Sequence, residues 1–443
     1  MRAMKDSGIA WIDKIPLGWT IKRLKWIVKF EKGLPITKDD LIKQGVPVVS
    51  YGQIHSKANN GTHLRDDLIR YVSEEYLESN PLSLGKKGDI FFADTSEDYA
   101  GIGNAVLIDV DSPVFAGYHT VIVRPDDQVY SRYLAYLFLT DAWRSQLCSR
   151  ASGIKVFSIT QGLLKKTTVI LPPAEKAIEM TAFLDRKCSQ IDAIIARQQE
   201  VIEKLKAYKL SVITEAVTKG LNPHAPMKDS GVEWIGEIPE HWNLIKATRI
   251  IISTQNGLTR RDLDKSSGQL VLKLRNISST GEIDYEYQNR IELTNQELET
   301  YCLKDGDFLF VRVNGSKSLV GKCAIFYSVG ENVAYNDHII RVRISGRCIE
   351  KFFFWFLLST CGKVEIDLHT STSAGQYTIS GEGLRDIRMV LPPRTEQIEI
   401  DVFLSKVCSN IDKLIIRKQT AIDKLAAYKK SLIYEVVTGK KEV

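Results

Sequence analysis

The sequence predicts an α/β (α+β) chain in which two globular mixed α/β domains are separated by two long antiparallel coiled-coil helices, the whole arranged as a pseudo-twofold internal repeat. Three observations predict it. Two sequence blocks recur about half a chain apart. A stretch of about 45 residues without a helix breaker follows each of two Leu-Pro-Pro triplets. The segments between carry short apolar runs set among Gly, Asn, Asp and Ser.

The repeat sets the organisation. Met4-Lys-Asp-Ser-Gly-Ile-Ala-Trp-Ile12 returns as Met227-Lys-Asp-Ser-Gly-Val-Glu-Trp-Ile235, and Ile15, Pro16 and Trp19 match Ile238, Pro239 and Trp242. A second block matches Leu171-Pro172-Pro173, Phe183, Leu184, Cys188, Ile191, Asp192, Tyr208, Lys209, Val217 and Thr218 to Leu391-Pro392-Pro393, Phe403, Leu404, Cys408, Ile411, Asp412, Tyr428, Lys429, Val437 and Thr438. Between the blocks a skeleton persists: Gly88-Asp89 against Gly306-Asp307, and His119 to Arg124 against His338 to Arg343. The frame is kept while the side chains on it vary, which suits two recognition surfaces built on one scaffold.

The middles, roughly residues 20–170 and 243–390, hold runs such as Thr120-Val121-Ile122-Val123 and Ile339-Ile340, which read as strands. The runs Tyr133 to Leu139 and Phe352 to Leu358 read as buried helix. After each Leu-Pro-Pro, Leu184, Cys188, Ile191, Ile195, Gln198, Ile202, Leu205, Lys209, Val212 and Ala216 alternate steps of four and three, and Leu404 to Val436 repeat the pattern. A sustained 3.5-residue spacing is a coiled-coil seam, with Gln198, Lys418, Lys209 and Lys429 as polar interruptions that set register. Two separate surface helices, each packed on its own domain, are the alternative. The expected boundaries are a first domain at 1–170, a first long helix at 171–222, a second domain at 223–390 and a second long helix at 391–443.

A chain of 443 residues is too long for one core and suggests about three domains. Its 44% apolar and 26% charged residues exclude a disordered or disulfide-stapled chain. A net charge of +6 suits nucleic acid without proving it. The N-terminus lacks a signal-peptide core and the longest bulky apolar run is far too short to span a bilayer, so the expectation is cytoplasmic, with no membrane association. Seven scattered cysteines without a C-x-x-C pair read as reduced, buried small hydrophobes.

The parts of an enzyme are missing from the sequence. Gly315 to Cys323 resembles a phosphate loop but has one residue too many and Cys323 in place of the Ser or Thr that holds magnesium. The Leu-Pro-Pro triplets lack the leading Asp or Asn of amino-methyltransferases, and the histidines have no metal-ligand spacing. His119 and His338, at equivalent points, read as structural hydrogen-bonders. No catalytic residue, metal or cofactor is expected.

In this order, the Trp-Ile…Ile-Pro…Trp starts at Trp11 and Trp234, the Gly-Asp strands, and the two Leu-Pro-Pro helices ending in Tyr208-Lys209 and Tyr428-Lys429 resemble the specificity subunits of type I restriction-modification systems, over essentially the whole chain. One departure is Ala177 where the second copy has Gln397. The resemblance implies two target-recognition domains, each reading one half of a bipartite double-stranded DNA target, held at fixed spacing by the helices. It also implies docking of two DNA-methyltransferase subunits and of restriction/translocase subunits, which bring S-adenosylmethionine, ATP and catalysis.

DNA reading needs Lys and Arg for phosphates, and Arg, Lys, Asn, Gln, Ser or Thr for base edges. The loops that offer them carry Tyr51, Gln53 and His55, Thr95 and Ser96, and Lys155 in the first domain. In the second they carry Lys273, Arg275 and Asn276, Arg312, Asn314 and Lys317, and Gln376 and Tyr377. The alternative from another class is a coiled-coil scaffold whose twin domains bind protein or peptide.

Overall fold

Each repeated opening folds as a short antiparallel ribbon, Met4–Ile9 with Ile12–Pro16 in one copy and Met227–Asp229 with Glu237–Pro239 in the other. The computed structural model describes residues 3–151, 153, 156–260, 267–278, 280–373 and 375–443. The chain divides into two compact units, the first made of residues 1–198 and 420–443 and the second of 199–419.

In both units the variable middle is closed at its base by one strand pair. Thr20–Arg23 pairs antiparallel with Thr168–Leu171, and Asn243–Lys246 with Arg388–Leu391. Each Leu-Pro-Pro is therefore the end of a closing strand followed by the Pro pair that starts the helix, where a missing N–H costs nothing.

Within the first unit a four-stranded antiparallel sheet runs in the order Ala105–Leu107, Ile90–Ala93, Thr120–Pro125, Val28–Lys32. A second sheet places Val46–Val49 parallel to Val114–Ala116, flanked by Arg70–Val72 and Leu84–Gly85. The second unit repeats this with Ile251–Asn256, Ile339–Ile344, Phe308–Val311 and Cys323–Ile325, and with Gln269–Leu272 parallel to Val333–Tyr335. Phe91, Phe92, Phe308 and Phe310 are fully or almost fully buried between these layers and the helices. Both apolar runs read as buried helix are helical, at Ser131–Phe138 and Glu350–Leu358.

The skeleton shared by the two middles has one physical cause. Gly88 and Gly306 take φ of +94° and +83°, a turn that glycine adopts without Cβ strain. The Asp that follows accepts the backbone N–H of Lys86 or Lys304, which closes the turn. The same carboxylates take the guanidinium at the end of the partner strand, Arg124 on Asp89 and Arg343 on Asp307, at 2.6 to 3.1 Å. Gly-Asp and the distant Arg are thus one charge-assisted bracket tying two strands. The near-miss phosphate loop leads from Lys322 into the strand Cys323–Ile325 rather than into a helix, so its N–H groups form no anion cradle.

The long helices run Ala174–Lys219 and Arg394–Val437. Each unit pairs the N-terminal half of one with the C-terminal half of the other, which is the antiparallel arrangement. Leu184, Cys188 and Ile191 share a core with Leu432 and Val436 in the first unit. In the second, Leu404 and Cys408 share one with Ile213 and Ala216. Two of the polar seam positions are paired: Lys429 Nζ donates to both oxygens of Asp192 at 2.7 Å, and Lys209 Nζ to both of Asp412 at 2.7 Å. Each helix then ends on a left-handed glycine, Gly220 or Gly439, against the indole of Trp242 or Trp19.

All seven cysteines are free, five of them buried; Cys148 and Cys302 are only partly so. Burial pushes the Cys323 thiol up to about 12, so it stays a neutral apolar group. The departure at Ala177 also has a cause. Buried Gln397 accepts from Ile349 N at 2.9 Å and donates to the Pro392 carbonyl at 2.9 Å, whereas in the first copy the Tyr130 hydroxyl donates to the Pro172 carbonyl at 3.0 Å. Among the described residues no helix is long and apolar enough to cross a membrane.

Candidate nucleic-acid interface

The polar loops lie at one end of each unit's sheets because of strand direction. In the first unit Val46–Val49, Ile90–Ala93 and Val114–Ala116 all run toward this end, and Thr120–Pro125 starts from it. Ser50 to His55, Asp94 to Ser96, and Tyr118 with His119 therefore meet. Tyr51 packs edge-on against His55, Tyr118 and His119, with ring centroids 6.1, 5.5 and 5.4 Å away. Burial, and then the neighbouring Tyr51, hold the Tyr118 phenol above its usual value, so it remains a neutral hydrogen-bonding group.

Several expected readers are occupied here by the fold. The Gln53 carbonyl oxygen accepts from Ser50 N at 3.1 Å and caps the short helix Tyr51–Ile54. His55 is held at both ring nitrogens: Nε2 donates to the Thr95 carbonyl at 2.8 Å, and Nδ1 accepts from Asn104 at 3.1 Å. Ser96 is buried and its hydroxyl donates to the Asp98 carbonyl at 2.7 Å. The Gln53 oxygen, both His55 ring nitrogens and the Ser96 hydroxyl are thus engaged in shaping the loops. Tyr51 and Thr95 are partly exposed, on the short strand pair Thr95–Ser96 with Phe157–Ser158 and beside it. Lys155 lies outside the described residues.

Beside this cluster a cleft of about 420 Å³ is lined by Lys32, Asp94, His119, Ser158, Thr160 and Gln161 among others. His119, which the sequence assigned to a structural hydrogen bond, is a functional candidate here, together with Asp94 at the start of the polar loop Asp94 to Ser96. The available signal was the recurrence of the histidine in both copies, which is equally consistent with a frame residue.

In the second unit Gln269–Leu272, Phe308–Val311 and Val333–Tyr335 run toward the corresponding end. Arg275 is exposed, lies over the Tyr287 ring at 4.8 Å and donates to Asn289 at 2.8 Å. Asn276 is a correction: it is fully buried, its oxygen accepts from Lys273 N and its amide donates to the carbonyls of Asp284 and Tyr287. A group with both functions satisfied inside a loop has nothing left for a base edge. Arg312 donates to the Asp337 carbonyl at 2.9 Å, while Lys317 is exposed, 3.9 Å from Asp367. Asn314 stands opposite Tyr377, where Val313–Asn314 pairs with the hairpin strand Gln376–Ile379, and Gln376 is exposed at its tip. The expected readers fully exposed in this unit are thus Arg275, Lys317 and Gln376, of the types that contact phosphates and base edges.

Among the described residues no group of three or more His, Cys, Asp or Glu could hold a metal ion.

Residues 16–204 match the family model described as the type I restriction modification DNA specificity domain. The chain is 24% identical over 394 residues to the EcoKI specificity subunit of Escherichia coli (strain K12), covering 87% of this chain and 81% of that protein. It is 22% identical over 431 residues to the StySPI specificity subunit of Salmonella potsdam, covering 96% and 90%. It is 26% identical over 441 residues to the putative MjaX specificity subunit of Methanocaldococcus jannaschii, covering 97% and 95%. A solved chain from work on assembly and conformational transition of the type I R-M system superposes with a TM-score of 0.69 at 15% identity, over 96% of this chain and 99% of that one.

Proposed function

We propose, for a chain that belongs to the specificity subunits of type I restriction-modification systems, that each unit reads one half of a bipartite duplex through its strand-end loops. Recognition of a DNA target is the function of the chain, and it is not itself the catalyst. The observation that carries the bipartite reading is the pairing of a kept frame with divergent polar loops at the same end of both units. The exposed residues Arg275, Lys317 and Gln376 and the partly exposed Tyr51, Thr95, Lys273, Arg312, Asn314 and Tyr377 are the proposed contact set, and the place of action that goes with duplex DNA is the cytoplasm.

Selection from a randomised duplex pool tests this. Two short fixed sequences separated by a degenerate spacer are expected. Affinity for them should fall by about 10³-fold or more between 50 and 200 mM salt if six or more phosphates are contacted. A salt-insensitive chain that enriches no sequence would favour the twin peptide-binding scaffold.

The helix pair is the proposed dock for two DNA-methyltransferase subunits, with restriction/translocase subunits joining that complex; the catalytic chemistry and its cofactors belong to these partners. Large apolar side chains are exposed at matching repeat positions on both helices: Ile178 and Ile398, Ile194 and Leu414, Tyr208 and Tyr428. Single exposed apolar residues are ordinary, but recurrence at equivalent positions suits two copies of one partner. Tyr208→Ser with Tyr428→Ser should weaken capture of the methyltransferase subunits by at least about tenfold, as expected for two aromatic anchors. Duplex binding by the chain alone should not change; equal losses in both assays would count against a separate dock.

A further inference from the structure

His119 is the one described non-glycine residue with a positive φ, +54°. That backbone conformation is unfavourable for a side chain with a Cβ and persists only where surroundings impose it. Here they do. Asp94 N donates to the His119 carbonyl at 3.0 Å, and the Thr120 hydroxyl donates to the Gly117 carbonyl at 2.6 Å. The ring is wedged against Tyr51 at 5.4 Å and Tyr118 at 6.2 Å. Nδ1 stands 3.2 Å from Asp94 Oδ1.

A carboxylate only accepts, so Nδ1 donates to it; the tautomer this selects for the neutral ring carries its lone pair on Nε2. Nε2 has no hydrogen-bond partner among the described residues, and the side chain is 56% exposed at the mouth of the cleft formed with Lys32, Ser158 and Thr160. A rigid, tautomer-locked acceptor at the reading end of the unit is the complement of an exocyclic amino group.

The second unit provides the contrast. Arg312 occupies the place of Asp94: its N–H donates to His338 O at 2.8 Å and its carbonyl accepts from Ile379 N, as Asp94 does with His119 and Ile159. His338 is only 3.9 Å from the neighbouring Asp337, through Nε2. The frame is common, and the acceptor lock is built in one copy alone.

We infer that His119, positioned by Asp94 and Tyr51, reads one base of the first half-site through Nε2, as an acceptor for the amino group of adenine or cytosine in the major groove. This rests on the reading of the units as DNA-recognition domains. The experiment is pool selection at neutral pH with the full chain and with His119→Gly, His119→Asn and Asp94→Asn. Glycine and asparagine both suit the left-handed backbone, so the fold is retained when the imidazole is removed. The wild-type chain should select adenine or cytosine on one strand at a single first-half position. His119→Gly should make that position degenerate to all four bases and weaken the best site about 5- to 20-fold, with every other position unchanged. His119→Asn should also lose the wild-type preference there. Asp94→Asn, whose amide can donate as well as accept, should release the tautomer and admit guanine or thymine at the same position. If His119→Gly instead weakens all sequences equally and lowers the salt slope by about one, the imidazole contacts a phosphate and the inference is overturned. Unchanged selection in all variants overturns it too. A wild-type chain that enriches no sequence points instead to failure of the DNA-reading function.

Discussion

Replacing Glu365 by Gln is expected to destabilise the second unit by about 3 kcal/mol or more, and adding Arg388→Thr should return most of that loss. Glu365 is fully buried. One of its oxygens accepts from Trp234 Nε1 and Arg388 Nε, both at 3.0 Å, and the other from Arg388 N at 2.8 Å. The Arg388 guanidinium also lies over the Trp234 ring at 4.6 Å. Neutralising the carboxylate leaves a partly buried cation without its counter-charge, which costs more than the pair contributes. The first copy solves the same site without charge. There Gln146 accepts from Thr168 N and Oγ1 at 2.8 and 3.0 Å, and Trp11 Nε1 donates to Thr168 Oγ1 at 3.2 Å. Changing both residues therefore installs a pairing this fold already uses. Denaturant midpoints, with hydrogen exchange over Glu350–Leu368 to assign the unit, measure it; a double variant as unstable as the single one would contradict the account.

The second large effect concerns specificity. Exchanging residues 20–170 for the matching segment of a related subunit should replace one half of the selected target and leave the other half untouched. The junctions are favourable because Thr20–Arg23 and Thr168–Leu171 are hydrogen-bonded neighbours, so the segment enters and leaves the frame at one place. With each mismatched base pair costing about 1–3 kcal/mol, three read positions would shift preference by about 10²- to 10⁶-fold. Pool selection on the exchanged chain reads this directly. Alteration of both halves, or of neither, would rule out independent readers.

The expected contact residues were only partly legible. Arg275, Lys317 and Gln376 are exposed as their loop positions suggested, whereas Asn276, Ser96, His55 and the Gln53 oxygen are the same kinds of group hydrogen-bonded within the loops. Local sequence does not distinguish a polar side chain that caps a turn from one that faces solvent, because both sit among Gly, Asn and Ser. His119 shows the converse: a residue at a framework position gains an exposed ring nitrogen from its backbone conformation and from Asp94, 25 residues away.

By itself the sequence determined the duplication, the long helices with their 3.5-residue seam, and the two divergent middles. Repetition and periodicity are properties of residue order, and the burial of seam residues such as Leu184, Cys188, Leu404 and Cys408 follows from that order. Only the tertiary structure decided that Gly-Asp and a distant Arg form one bracket, that Gln146–Thr168 and Glu365–Arg388 are alternative fillings of one site, and which polar loop groups remain free. Those outcomes depend on partners far apart in the chain, and a hydrogen bond between Trp11 and Thr168, 157 residues apart, exists only once the strands between them have packed.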